Sequence, residues 1–143
     1  MILPDVNLLL YVHNRSAQQH EAAVRWLTAV LAGPEPVALT WTTILGFLRM
    51  STNPKVYPNP MTVGEAIAAV NEWLSHPAVA LLHMGERHWD ILTRLMVSGN
   101  VSGSTITDAH LAALAIEHGA TLCTTDCDFA RFPGLRWQNP LQT

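Results

Sequence analysis

Apolar residues along this chain fall into short runs that alternate with helical stripes. Met1–Pro4 is a brief apolar run that stops at Pro4-Asp5, and Val6–Val12 continues apolar as a helix. In Gln18–Leu31 the residues Ala22, Ala23, Trp26, Leu27, Val30 and Leu31 recur at helical spacing until Gly33-Pro34 breaks the pattern. Pro36–Leu39 reads as a second strand, Trp41–Met50 as a helix, and 53–60 as a loop punctuated by Asn-Pro pairs. Thr62 with Glu65 three residues on has the form of a capping box, opening a helix to about Leu74. Val79–Leu82 is a third strand candidate. Glu86–Val97 is helical with Trp89, Leu92 and Met96 on one face, and Ser98–Ser104 is a Gly/Ser loop. Thr105–His118 is an Ala/Leu-rich helix closed by Gly119, Ala120–Thr124 a fourth strand, and Leu135–Trp137 a candidate short fifth.

Short strands alternating with helices predict an α/β fold. The expected form is a mostly parallel sheet of four to five strands with helices on both faces, in one domain over residues 1–143. Such sheets build their sites beyond the carboxyl ends of the strands. No repeat, low-complexity run or linker interrupts the chain.

Composition narrows the picture in three ways. Hydrophobic residues make up 49% and charged residues 13%, which excludes a disordered chain and suggests apolar surface covered by a partner. The net charge of -3 provides no global field for nucleic acid, so any RNA contact falls to local residues such as Arg49, Arg131 and Arg136. Cys123 and Cys127 are too few for a disulfide scaffold or a zinc site and read as a buried strand thiol and a loop thiol. Asp5 interrupts the apolar start before a signal sequence forms, and no run is long enough to span a bilayer. A cytoplasmic protein without membrane contact is the expectation.

The acidic positions carry the candidate chemistry. Asp5 follows the first strand, Asp126 and Asp128 follow the fourth, and Asp108 lies in the first turn of the helix before it. Each alone has a structural reading, as a helix cap or as a carboxylate favoured by the helix dipole. Together they account for four of the chain's 11 acidic residues, falling at predicted strand ends or at the helix start beside them. Converging carboxylates repel strongly unless a cation sits among them. An all-oxygen donor set favours Mg²⁺ or Mn²⁺ over zinc. Such an ion generates hydroxide and steadies the leaving oxygen of a phosphodiester, so the set predicts hydrolysis of a nucleic-acid backbone.

Other residues carry less. Seven histidines include His13 and His20, spaced to share a helix face, and His110, which two residues from Asp108 points elsewhere. No helical His-x3-His pair supports a histidine metal site. Trp41 and Phe129 lie near the site edge, where they can stack on bases, though core packing is the expectation for both. A haloacid-type phosphatase needs a second Asp where Asn7 stands, and a receiver domain needs a later lysine where only Lys55, in a Pro-rich loop, occurs.

The segments 1–13 (MILPDVNLLLYVH), 40–54 (TWTTILGFLRMSTNP), 107–137 (TDAHLAALAIEHGATLCTTDCDFARFPGLRW) and 139–141 (NPL) resemble, in order, the PIN domains of VapC-type toxins from bacterial toxin–antitoxin pairs. The resemblance is closest to a branch common in mycobacteria and covers nearly the whole chain. It implies a PIN-like fold in a single PIN domain and a metal-dependent endoribonuclease acting as a growth-inhibiting toxin. It also implies a homodimer, a cognate antitoxin that blocks the site, and an RNA substrate. Asp5, Asp108, Asp126 and Asp128 match the family's first, third, fourth and fifth acidic residues, as catalytic groups and ligands of Mg²⁺ or Mn²⁺. By the same resemblance Asn7, Thr124 and Thr125 support the carboxylates. The departure is at the second acid, a Glu three residues before an Arg: here the Arg is Arg49 and the matching position is Gly46. One carboxylate fewer implies weaker metal affinity, or alternatively a weakened domain that binds RNA or antitoxin without efficient cleavage.

Overall fold

The computed structural model of the chain describes residues 1–142. Five strands form one sheet: β1 Ile2–Pro4, β2 Val37–Leu39, β3 Val79–Leu81, β4 Thr121–Cys123 and β5 Trp137–Gln138. Their order across the sheet is β3-β2-β1-β4-β5, and every pairing is parallel. The sequence expectation of a mostly parallel sheet thus becomes a wholly parallel one. The fifth strand falls at Trp137–Gln138 and not at 135–137.

Six helices connect the strands: α1 Val6–His13, α2 His20–Ala32, α3 Trp41–Ser51, α4 Val63–Ser75, α5 His88–Ser98 and α6 Thr105–His118. Local signals explain several of the boundaries. Thr62 and Glu65 exchange both capping-box hydrogen bonds at the start of α4. Gly119 ends α6 with φ 66 and ψ 27, a left-handed conformation that glycine adopts without a Cβ penalty. The start of α5 is a tertiary matter. Glu117, on α6, accepts from the backbone N–H of Gly85 at 2.8 Å and of Arg87 at 2.9 Å, so the helix begins at His88 and not at Glu86. The face of α5 that packs inward is His88, Ile91 and Leu95, flanked by Leu92 and Met96, while Trp89 is turned out. The sequence reading had centred that face one residue off.

Two cores sandwich the sheet. Leu3, Ala38 and Leu122 pack with α5 and α6, whereas Leu39 packs with α1 to α4. Ala38 and Leu39 are neighbours on one strand, so these clusters lie on opposite faces. The run Leu111–Ala115 in α6 is wholly buried, its alanines letting the helix sit close. No helix among the described residues is long and apolar enough to cross a membrane.

Because the strands run parallel, the carboxyl ends of β1, β2, β3 and β4 open onto one edge. The residues that follow them are Asp5, Thr40, Leu82 and Thr124.

Candidate active site

Asp5 leaves β1 and becomes the N-cap of α1. Its Oδ1 accepts from the Val6 N–H at 2.7 Å, and its Oδ2 accepts from the Thr124 hydroxyl at 2.8 Å. The side chain is 9% exposed, and burial pushes its carboxyl above the usual range, with Asp126 adding to the rise against those two hydrogen bonds. The N-cap role is thus established for Asp5, and it leaves the carboxylate among the candidate site groups.

Thr124 is a junction. Its hydroxyl donates to Asp5 and accepts from the Asp126 N–H at 3.0 Å, tying the end of β4 to the end of β1. Asn7 braces the same junction from α1, its amide donating to Thr125 Oγ1 at 2.9 Å and to Thr124 Oγ1 at 3.4 Å. The Asn7 carbonyl oxygen is left buried without a partner. Beyond Thr125 the chain turns into a 3₁₀ helix, Cys127–Arg131, which the sequence did not announce. Asp126 caps it by accepting from the Asp128 N–H at 2.9 Å. Asp128 is exposed, and Phe129 is buried in the core as expected.

Asp108 projects from the first turn of α6. Its pKa is raised from 3.8 to about 6, first by burial and then by the charges of Asp5, Asp126 and Asp128, with Arg131 pulling the other way. Carboxylates from three separate segments, distant in sequence, thus share one electrostatic environment. Arg131 belongs to it as well, although the sequence offered only a generic argument for this residue. Among the described residues, no three acidic, histidine or cysteine side chains are drawn tightly enough together to cage an ion. The donors are all oxygen, they repel one another, and Asn7 adds an unpaired oxygen. That set fits a hydrated hard cation that keeps several of its waters, which is the habit of Mg²⁺.

Arg49 is exposed, and no hydrogen bond or ion pair joins it to these carboxylates. The single ion pair among the described residues links the N-terminus to Glu35. Arg136 is spent on the Gly119 carbonyl at 2.6 Å. Gly46 packs against the first residue of α1: a Cβ there would meet Val6 Cγ2 at 3.5 Å, ordinary contact. Trp41 is 50% exposed at the start of α3, against the expectation that it packs in the core. Cys123 is buried in β4 and Cys127 is exposed, both free. His13 and His20 do not share a helix: His13 ends α1 with its ring against Phe47 and Trp73, and His20 opens α2.

The family model described as PIN domain matches residues 2–135. The chain belongs to the PIN-domain family. Among its relatives, Ribonuclease VapC37 of Mycobacterium tuberculosis is 39% identical over 140 residues, covering 98% of this chain and 97% of that protein. Ribonuclease VapC33 of the same species is 42% identical over 142 residues, covering 99% of each. Among solved structures, Mycobacterium tuberculosis VapC20, titled a sarcin-ricin loop cleaving toxin, aligns with TM-score 0.69 at 18% identity over 95% of this chain and 99% of that one. VapBC-1 from nontypeable Haemophilus influenzae aligns with TM-score 0.71 at 18% identity over 99% and 100%. At that identity the structural likeness speaks for the PIN fold, here a five-stranded parallel sheet between two helical layers.

Proposed function

We propose that this PIN domain is a metal-dependent endoribonuclease, the toxin of a toxin–antitoxin pair, hydrolysing RNA phosphodiester bonds with Mg²⁺ or Mn²⁺ held by Asp5, Asp108, Asp126 and Asp128. The observation that carries the reading is that burial, together with the charges of Asp5, Asp126 and Asp128, lifts Asp108 to a pKa of about 6. A constellation that costly to the ion-free protein is repaid by a cation. The ribonuclease names of relatives aligned end to end support the choice of RNA.

A bound ion supplies an activated water and offsets charge on the phosphodiester. The chain's own residues do the rest. Thr124 and the Val6 N–H hold Asp5 in one orientation, each carboxylate oxygen keeping a lone pair for the site. Asn7 and Thr125 brace the segment that carries Asp126. Asp108, raised to about 6, holds a proton only below that pH, where the proton would compete with a bound ion. Arg131, near enough to lower the Asp108 pKa, is the cation at hand for a backbone phosphate.

The partner part of the reading is a cognate antitoxin and a second copy of the chain. Leu45 at 60% exposure, Val63 at 65% and Ile67 at 48% leave apolar surface on α3 and α4 for such partners to cover. A second reading, a weakened domain that binds RNA or antitoxin without cutting efficiently, draws on Gly46 in place of an acid and on the lack of a tight three-ligand cage among the described residues.

The test is cleavage of RNA by the purified chain in Mn²⁺, with ends mapped by sequencing, beside the Asp108→Asn variant and an EDTA control. Cleavage lost in both controls supports the enzyme. A wild-type chain that binds RNA but leaves it intact supports the weakened domain. Cleavage that survives chelation rules out the metal.

A further inference from the structure

On the sheet edge that carries the carboxylates, at the ends of β2 and β3, lies a cleft outside the proposed metal site. It has a volume of about 130 Å³ and is formed where the segments after β2 and β3 meet α6. Trp41 and Met84 line it while 50% and 65% exposed, and the buried Leu82 and Leu114 add apolar wall. His83 and His110 also line it. Space of this size holds several waters that a planar ring displaces, whereas an α-helix about 10 Å across does not enter.

His110 is held by a neighbour that is otherwise hard to explain. His88, 6% exposed, sets its Nε2 2.9 Å from His110 Nδ1, the rings nearly perpendicular at 79°. The other nitrogen of His88, Nδ1, is buried with no partner. An orphaned buried N–H is rarer and costlier than an orphaned lone pair. The proton of His88 therefore sits on Nε2, and His110 Nδ1 accepts it. With Nδ1 engaged, the proton of His110 is fixed on Nε2. That leaves a single N–H donor on a residue that lines the cleft, one half-turn of α6 beyond Asp108.

We propose that this cleft seats one base of the RNA substrate, stacked on Trp41 and recognised through an acceptor atom on its edge by the His110 Nε2–H, with His88 as the positioning residue that fixes the tautomer. The inference rests on the ribonuclease reading. An exposed indole next to a catalytic edge suits an unstacked base, since every base offers a π-face, and a single fixed donor selects among base edges. The cleft opens at the ends of β2 and β3 and the carboxylates at the ends of β1 and β4, so one strand of RNA laid along this edge of the sheet can reach both.

The experiment uses the full chain with Mn²⁺ and a pool of single-stranded RNA of randomised sequence, the cut ends being sequenced and rates taken over a range of RNA concentration. Trp41→Ala raises KM by roughly 5- to 150-fold with kcat little changed, and Trp41→Phe recovers most of that loss. His110→Phe keeps the ring and removes the donor, so the base preference at one position beside the cut flattens while cleavage continues. His88→Leu broadens the same preference, and His88→Gln, whose amide still donates toward His110, restores it. An active wild type whose Trp41→Ala and His110→Phe variants keep both KM and base preference overturns the subsite alone. So does a Trp41→Ala variant impaired only in binding a protein partner. A wild type that cuts no RNA overturns the ribonuclease reading and this inference with it.

Discussion

Replacing Asp108 by Asn should make the ion-free protein more stable at neutral pH while abolishing its activity. Asp108 has its pKa raised from 3.8 to about 6 in the fold. Each pH unit between those values is worth about 1.36 kcal/mol, or ~3 kcal/mol for the whole span. The side chain is only partly buried, so solvent screening cuts this to about half, ~1.5 kcal/mol. Asn also forfeits the favourable placement of a carboxylate at a helix start, about 0.3–1 kcal/mol, leaving a net gain of ~1 kcal/mol. The sign follows from the direction of the shift. A raised carboxyl pKa means that the fold binds the proton more tightly than the unfolded chain does. Its stabilising contribution is full below about pH 4, fades as pH rises through about 6, and is absent at pH 7.5. The difference between variant and wild type therefore opens between those limits. Urea denaturation in EDTA at a series of pH values measures it, and in a thermal scan ~1 kcal/mol appears as about 2–4 °C. Saturating Mn²⁺ should reverse the order, because a ligand at about 100 times its Kd adds ~2.7 kcal/mol to the protein that binds it. An Asp108→Asn variant less stable than wild type at pH 7.5 in EDTA, or equally displaced at pH 4, would show that burial and the neighbouring charges do not raise the Asp108 carboxyl as described.

Asp5 should behave differently from Asp108, because it caps α1. Asp5→Ala should cost about 1 kcal/mol of stability and Asp5→Asn less, by chemical denaturation, with cleavage lost in both; a neutral Asp5→Ala would contradict the cap. Gly46→Glu should fold, since its Cβ meets Val6 only at ordinary contact distance, and removing a helix-interior glycine favours the helix by up to about 1 kcal/mol. It should also tighten Mn²⁺ binding by roughly 10- to 100-fold, the scale of outer-shell effects on metal sites; calorimetric titration showing unchanged affinity would mean that this face of α3 does not reach the carboxylates. Apparent Mn²⁺ affinity of the wild type should fall as pH drops through about 6, the proton on Asp108 competing with the ion; titrations at pH 5 and 7.5 with equal affinity would remove Asp108 from the site.

What the sequence determined by itself is whatever neighbours within a turn or two decide. The alternation of β1, α1, β2 and α3 follows from local apolar pattern, the start of α4 from Thr62 and Glu65, and the end of α6 from Gly119. Asp5 could be placed at a strand end because it follows an apolar run directly, and Asp126 because it comes just past the fourth run; a parallel sheet sends such ends to one edge. Strand-end positions suggested the grouping of the four acids, and family resemblance matched each to a site position. Tertiary structure decided the rest, because those contacts join residues far apart in the chain. The order β3-β2-β1-β4-β5 puts β1 beside β4, and only then can Thr124 reach across to Asp5. Glu117 chooses where α5 begins from 30 residues away, overriding a helical pattern that starts earlier. Trp41 and Trp89 are apolar by composition, yet both are turned out to solvent, because burial depends on which helix face meets the sheet. The pairing of His88 with His110 has no sequence signature either. It arises where α5 lies along α6, a contact between helices that no local pattern sets.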